Sequence, residues 1–200
     1  MNNLNKNKYT VSFTTLGCKV NQFETEAMTE ILEKEGFNVV HDNDNSDIIN
    51  TCAVTKESER KSRQFINRAK RNNPDALVVA VGCSVQLNSK KINEETQVDI
   101  TIGTKHKGEI GKLIKEKLKC NIDDNINVNQ EEYLIEDFSG KEDFEELKIS
   151  TVHDKTRANI KIQDGCSQFC SYCIIPYVRG PIRSRNQIGR AHVWTPVTDQ

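Results

Sequence analysis

Three cysteines each follow a short strand-like run, and this repetition constrains the fold more than any other feature of the chain. The runs cover residues 11–16, 47–50 and 77–81, and they lead directly to Cys18, Cys52 and Cys83. Mostly apolar runs separated by helical stretches predict buried parallel strands in successive β–α units. Because the carboxyl ends of parallel strands gather at one edge of a sheet, where ligands bind, we expect these distant cysteines to meet in space.

Two interpretations of these cysteines remain open from the residues alone. Free cysteine packs readily in protein cores, so the three could be small buried thiols. Three thiols at the same place in three repeated units favour a second interpretation, a metal-cluster site. Gly17, Gly82 and Gly165 precede Cys18, Cys83 and Cys166, and glycine lets the backbone come close to a bulky inorganic group.

A second set of cysteines lies on one short stretch, at Cys166, Cys170 and Cys173. Two cysteines could form a redox pair, and four could complete a tetrahedral zinc site. Three thiolates suit a [4Fe–4S] cubane, because they ligate three irons and leave the fourth open for a small molecule. Zinc and a plain ferredoxin-type cluster stay as alternatives.

This spacing, with an aromatic residue before the last cysteine, resembles the radical S-adenosylmethionine enzymes. A three-cysteine α/β domain ahead of such a triad is similar to the methylthiotransferase family, and the resemblance covers residues 8–185. The matching stretches are Thr-Leu-Gly-Cys-Lys-Val-Asn-Gln-Phe-Glu-Thr-Glu at 15–26, Asn-Thr-Cys-Ala-Val-Thr at 50–55, and Lys-Ile-Gln-Asp-Gly-Cys-Ser-Gln-Phe-Cys-Ser-Tyr-Cys-Ile-Ile-Pro at 161–176.

The resemblance implies two [4Fe–4S] clusters and S-adenosylmethionine as cofactors. One cluster would cleave S-adenosylmethionine to a 5′-deoxyadenosyl radical, and the other would supply sulfur. A second S-adenosylmethionine would give the methyl group, and Tyr172 would pack near the adenine of the cofactor. The cluster ligands would be Cys166, Cys170 and Cys173 for the first cluster, and Cys18, Cys52 and Cys83 for the second.

The residues around Cys18 and Cys52 look most like the branch that modifies N6-threonylcarbamoyladenosine at position 37 of tRNA, at adenine C2. The isopentenyladenosine branch and the ribosomal-protein branch remain alternatives. The expected partners are a tRNA anticodon stem-loop and an electron donor such as flavodoxin or ferredoxin, with the chain a monomer. An iron–sulfur electron carrier without catalysis of its own is the competing hypothesis from another class.

Charge is segregated along a chain whose net charge is only −1. Residues 54–71 are rich in Lys and Arg on a helical pattern, which we interpret as a solvated helix face. Residues 121–148 are strongly acidic without periodicity. The basic stretch 155–185 follows the acidic one, and it supplies the candidates for contacts with RNA phosphates, namely Arg179, Arg183 and Arg185.

The predicted architecture is α/β, with a parallel sheet flanked by helices in an N-terminal methylthiotransferase domain at 8–120. Residues 121–150 would be an acidic linker or irregular segment. Residues 151–187 would be the truncated start of a radical-S-adenosylmethionine β/α barrel, because a whole barrel needs about 200 residues. Residues 188–200 resemble a translated sequencing adapter, with a genuine loop as the alternative. The fragment alone is therefore expected to be inactive.

Local patterns add several expectations. Helices are predicted at 22–35, closed by Gly36, and from a cap at Thr104 towards residue 119. Residues 99–103 predict a fourth strand, and 157–163 the first barrel strand, with Ile160 and Ile162 facing one way. The seventh cysteine, Cys120, is interpreted as a surface or packing thiol. Seven cysteines, with no hydrophobic stretch long enough for a membrane span or secretory signal, fit a reducing cytoplasm better than a disulfide framework, and no membrane partner is expected.

Overall fold

A computed structural model of the chain describes residues 9–40, 47–120, 133–140, 142–150 and 159–186. The first region is a six-stranded parallel sheet in the order β2-β1-β3-β4-β5-β6. This confirms the predicted α/β class. The strands are β1 Thr10–Thr15, β2 Asn38–Val40, β3 Ile48–Thr51, β4 Val79–Gly82, β5 Ile100–Ile102 and β6 Tyr133–Leu134. The helices are α1 Lys19–Lys34, α2 Lys56–Asn72, α3 Cys83–Glu95 and α4 Ile110–Cys120.

Apolar side chains cover both faces of the sheet, which explains why its central strand β4 is apolar throughout. Successive residues of β4 point to opposite faces: Val79 joins the cluster under α1 and α4, and Ala80 joins the cluster under α2 and α3. The first cluster contains Met28, Leu32, Ile102 and Ile110, among others. The second contains Ile49, Ile66, Val85 and Ile92. The core therefore lies on both sides of the strands that carry the three cysteines.

The helix boundaries follow local signals, with one exception. Gly36 ends α1 with a φ of 91°, and its amide donates to the Glu33 carbonyl, as expected. Thr55 caps α2 by accepting a hydrogen bond from the Ser58 amide at 3.1 Å. Thr104 was expected to cap the helix that follows it, and this is wrong. Its hydroxyl instead donates to the Val178 carbonyl at 2.7 Å, and a 3-10 turn, Lys107–Glu109, precedes α4.

Part of the acidic segment is built into the fold. β6 extends the sheet by pairing in parallel with β5. Leu147 is buried against Phe23 and Ala27 of α1, and the carboxylate of Glu30 accepts a hydrogen bond from the Ser150 amide at 2.6 Å. The predicted acidic linker or irregular segment at 121–150 therefore packs against the sheet domain at several of its described residues.

The second region comprises β7 Gln163–Asp164, α5 Ile175–Arg179 and β8 Arg183–Ser184. β7 and β8 pair antiparallel, whereas a parallel barrel strand was expected over 157–163. Ile160 and Ile162 are each 45% exposed, and Lys161 between them is buried instead. Buried and exposed residues do alternate along this stretch, as predicted. The residue that points inward is Lys161, because it reaches an acidic partner. The start of a barrel stays a prediction.

Several expectations fall outside the described residues, including those for the tail 188–200 and for the Cys120 side chain. Within the described part of the chain, no helix is both long and apolar enough to cross a membrane.

Candidate functional site

The structure brings Cys18, Cys52 and Cys83 to one edge of the sheet. Each follows the carboxyl end of a strand, and the three strands, β1, β3 and β4, are neighbours that run in the same direction. Cys52 and Cys83 are each 3% exposed, while Cys18 is exposed. We call these three residues the cysteine edge. Their gathering follows from the parallel order of the strands, as the repeated sequence units predicted.

Asn21, in the first turn of α1, ties this edge together. Its buried side-chain amide donates to the carbonyls of Leu16 and Thr51, at 2.7 and 3.0 Å, and so joins the ends of β1 and β3. The Cys18 thiol lies 3.8 Å from the Asn21 side-chain oxygen. One asparagine therefore fixes the position of Cys18 relative to the strand that ends at Cys52.

Two glycines bring the backbone close to these thiols. Gly17 has a φ of 106°, and a Cβ built there would lie 2.9 Å from the Cys52 sulfur. Gly82 has the same φ, and a Cβ there would lie 2.7 Å from the Asn50 side-chain oxygen. Any side chain at either position would fill the space around the cysteine edge, and the positive φ would add backbone strain.

Arg179, the last residue of α5, reaches the cysteine edge from the second region. Its guanidinium is 3% exposed and donates to the Asn21 side-chain oxygen at 2.8 Å. Burial raises the pKa of the Cys83 thiol, and the charges of Arg179 and Lys107 offset part of that rise. Arg179 therefore reaches the cysteine edge through Asn21 and acts on Cys83 by its charge.

Five ionisable side chains form a buried charge cluster beside the cysteine edge: Glu24, Lys107, Lys161, Asp164 and Arg179. Glu24, 0% exposed, pairs with Lys107 at 2.5 Å, Lys161 at 2.8 Å and Arg179 at 2.9 Å. Asp164 pairs with Lys161 at 2.6 Å and Arg179 at 3.0 Å. Burial raises the pKa of Glu24, but these cations outweigh burial and hold that pKa well below its ordinary value. The cluster joins α1 to the second region.

The second set of cysteines lies on the loop 166–173, which we call the cysteine loop. The Cys166 amide donates to the Gly180 carbonyl at 3.0 Å, and the Cys173 amide donates to the Cys170 carbonyl at 2.9 Å. Cys170 is exposed, and Cys166 and Cys173 are half-buried. Tyr172 is 90% exposed, so nothing described packs on the ring that was expected near an adenine.

The three arginines expected to contact RNA differ in their surroundings. Arg179 is wrong as a phosphate contact, because its guanidinium is buried and engaged with Glu24 and Asp164. Arg183 and Arg185 are half-buried at the surface of the second region. Both therefore stay predictions as RNA contacts.

The residues of the cysteine edge fit an iron–sulfur cluster in three respects. Thiolates are the ligands that such clusters require. Gly17 and Gly82 keep the space beside the thiols clear. Within the described residues, the buried Ser84 hydroxyl beside Cys83 and the Asn50 side-chain oxygen have no hydrogen-bond partner, which is costly unless a further group lies there.

The arrangement of the described residues does not favour a site for a single metal ion. Among the residues that the structure describes, no three His, Cys, Asp or Glu side chains are gathered to hold one ion. A cubane differs, because each thiolate binds a separate iron and the sulfurs stand apart around the cluster.

Comparison with known proteins agrees with this geometry. Residues 10–103 match the profile of "Uncharacterized protein family UPF0004". This range runs from β1 to the end of β5 and contains all three residues of the cysteine edge. The chain carries the UPF0004 domain of the methylthiotransferases. It is 39% identical over 179 residues to a threonylcarbamoyladenosine tRNA methylthiotransferase of Bacillus subtilis, and 36% identical over 176 residues to one of Aquifex aeolicus.

These alignments cover 88% and 87% of this methylthiotransferase-type chain. The chain spans only 38% and 41% of the length of the two relatives. A tRNA-2-methylthio-N(6)-dimethylallyladenosine synthase of Clostridium perfringens is 29% identical over 192 residues, with 92% of this chain and 40% of the relative covered.

Sequence reasoning singled out the six cysteines, which stay predictions as cluster ligands, but it missed Asn21, Glu24 and the buried role of Arg179. One signal for Glu24 was available, since it precedes Ala27 and Met28 by three and four positions and so shares the buried face of α1. A charged residue on such a face implies a buried partner.

Proposed function

We propose that the chain is part of a tRNA methylthiotransferase that acts on adenine C2 of N6-threonylcarbamoyladenosine at position 37. The observation that carries this proposal is the gathering of Cys18, Cys52 and Cys83 at the ends of three adjacent parallel strands, in a UPF0004 domain. A structural role for three core thiols would not require them to meet at the ligand-binding edge of a sheet.

In this proposal each set of cysteines has its own role. Cys18, Cys52 and Cys83 hold the [4Fe–4S] cluster that carries the sulfur. Cys166, Cys170 and Cys173 hold the cluster with an open iron for S-adenosylmethionine. When bound, these groups supply the radical and the sulfur that an unreactive C–H carbon requires. The exposed Tyr172 ring is available to pack against the adenine of S-adenosylmethionine.

The protein's own residues position the chemistry. Asn21 joins the ends of β1 and β3, and the glycines at 17 and 82 leave room for an inorganic group. The cysteine loop presents its thiols on a surface that also carries Phe169 and Tyr177, in an edge-on ring contact with centroids 5.7 Å apart. Exposed aromatic rings beside this loop suit the stacking of an unpaired base.

Relatives named for threonylcarbamoyladenosine, at 36–39% identity, support that branch over dimethylallyladenosine, whose named relative is 29% identical. The alternative substrates are isopentenyladenosine tRNA and a ribosomal protein. Arg183 and Arg185 are the proposed contacts to the phosphates of an anticodon stem-loop. A flavodoxin or ferredoxin would supply electrons in the cytoplasm, and the chain would act as a monomer.

Anaerobic reconstitution tests the two sites. We expect about eight irons per chain, from two four-iron cubanes. Replacing Cys18, Cys52 and Cys83 with Ala, or replacing the three loop cysteines with Ala, should each remove half of the iron. Circular dichroism would check that each triple variant keeps the fold. Loss of all iron from a folded triple variant would contradict two independent clusters.

S-adenosylmethionine separates the enzyme from an electron carrier. Its addition should change the electron paramagnetic resonance spectrum of the reduced cluster on the cysteine loop, because the open iron binds it. An unchanged spectrum would favour the carrier.

For the substrate, mass spectrometry of tRNA nucleosides from cells with and without the complete gene should show loss of the 2-methylthio derivative of threonylcarbamoyladenosine. Loss of the isopentenyladenosine derivative would reassign the branch.

A further inference from the structure

The buried charge cluster has a feature that ion pairing alone does not explain. Among the described residues it contains three cations, Lys107, Lys161 and Arg179, and two carboxylates, Glu24 and Asp164. Arg183 adds a further cation at its margin, 3.7 Å from Asp164. An excess of buried positive charge is costly unless an anion lies nearby.

Arg179 is the cation of this cluster that also reaches towards the cysteine edge. Arg179 donates one hydrogen bond to the Asn21 side chain, which also lies beside the Cys18 sulfur. Helix α5, which ends at Arg179, packs against α3, which begins at Cys83. A cubane held by three thiolates is a net anion, and its negative charge increases on reduction.

We propose that Arg179 is a positioning residue for the cluster on the cysteine edge: it fastens the second region over Cys83 and supplies the positive charge that balances the thiolate-held cluster. This inference rests on the proposed function, because it requires a cluster at Cys18, Cys52 and Cys83. Its partner is defined by chemistry, as an anionic iron–sulfur group ligated by Cys83.

The charge of Arg179 has a measurable consequence. The charge around an iron–sulfur cluster is one of the factors that set its reduction potential. Removal of Arg179 destabilises the reduced, more negative cluster more than the oxidised one. The midpoint potential of this cluster therefore falls when Arg179 is replaced with a neutral residue of similar length.

The first experiment uses the full chain with Cys166, Cys170 and Cys173 replaced by Ala, so that only the cysteine edge holds a cluster. Redox titration with electron paramagnetic resonance compares Arg179→Met, Arg179→Lys and a matched surface control, Arg60→Met. For Arg179→Met we expect at least a tenfold fall in the ratio of reduced to oxidised cluster at a fixed potential, which is about 59 mV for a one-electron couple. Arg179→Lys should shift less, and Arg60→Met should not shift. An unchanged potential in Arg179→Met overturns the proposal.

The second experiment needs no metal, so it distinguishes failure of this inference from failure of the proposed function. Hydrogen exchange of the metal-free chain reports how firmly residues 159–186 are held. In Arg179→Met, the Cys166 and Val178 amides should lose at least tenfold in protection, while amides of β4 and β5 keep theirs. Equal protection in the parent and Arg179→Met overturns the fastening role even if no iron binds. If the parent binds no iron but Arg179→Met loses protection, the proposed function fails and the fastening role stands.

Discussion

The parallel sheet and residues 159–186 both present cysteines, yet they are held by opposite means. The strands that lead to Cys52 and Cys83 are buried on both faces by apolar side chains. Residues 159–186 instead leave Ile160, Phe169 and Tyr177 exposed and bury Lys161, Asp164 and Arg179. Apolar packing is non-directional, whereas ion pairs specify one orientation of their partners. The sheet thus supplies stability, and the buried charge cluster specifies where the second region sits.

The largest effect should follow from breaking the charge cluster. Glu24→Gln leaves Lys107, Lys161 and Arg179 with a single carboxylate, and removal of one partner of a buried ion pair costs about 3–5 kcal/mol. Urea unfolding of the metal-free protein should show this loss. Glu57→Gln, on an exposed pair of α2, is the matched control and should leave the midpoint unchanged. An unaltered midpoint in Glu24→Gln would mean that the cluster orients the second region without stabilising the fold.

The stability of the sheet should depend on the volume of its buried apolar side chains instead of on ion pairs. Ile102 is 0% exposed in the cluster under α1 and α4, so Ile102→Ala should lower the free energy of unfolding by about 2–5 kcal/mol. The control is Ile182→Ala, whose side chain is 46% exposed in the second region. Equal losses from both substitutions would remove the distinction between the two regions.

A smaller effect is expected at the start of α2, which follows Cys52. Thr55→Ala removes the side-chain oxygen that accepts the Ser58 amide, and loss of such a cap costs about 1 kcal/mol. Thermal unfolding followed by circular dichroism measures it. Thr55→Ser keeps the hydroxyl and should behave like the parent chain.

The smallest effect concerns the pH dependence of stability at His106, which pairs with Glu109 and with Glu136 just after β6. Burial lowers the pKa of His106, but hydrogen bonds and charges from Glu109 and Glu136 outweigh burial and raise it. Because the folded pKa is raised, this contribution to stability is fully present below the ordinary pKa of 6.5 and is lost as pH rises through the folded value. Unfolding measured from pH 6 to 9 should show a decline that His106→Gln abolishes. A decline that persists in His106→Gln would assign it to other groups.

The sequence predicted the cysteine edge because its cause is local and repeated. Each run of apolar residues becomes a buried strand, and the parallel order then aligns the residues that follow. The strand at Asn38–Val40 was missed because it is short and its residues are only partly buried or exposed. Thr104 was misassigned because a threonine before a helix fits a cap locally, while its real partner, Val178, lies far along the chain.

The contacts of the second region could not be predicted for the same reason. Ile160 and Ile162 alternate as a buried strand would, but no local pattern shows that Lys161 has a partner in α1. The long-range pairing with Glu24 decides which face turns inward. Long-range charge pairing leaves little periodicity in a sequence, whereas apolar packing of strands and helices leaves a clear one.

The separation of Glu24 and Lys107 from Arg179 along the chain has a consequence during synthesis. At about 5–20 residues per second, the ~70 residues between Lys107 and Arg179 take roughly 4 to 14 seconds to be added. The sheet can form in that interval, with Glu24 paired to Lys107 alone and Cys83 not yet covered by α5. Synthesis therefore leaves a window of seconds in which α5 does not yet cover Cys83, and the iron–sulfur group proposed for this edge would reach that thiol most easily then.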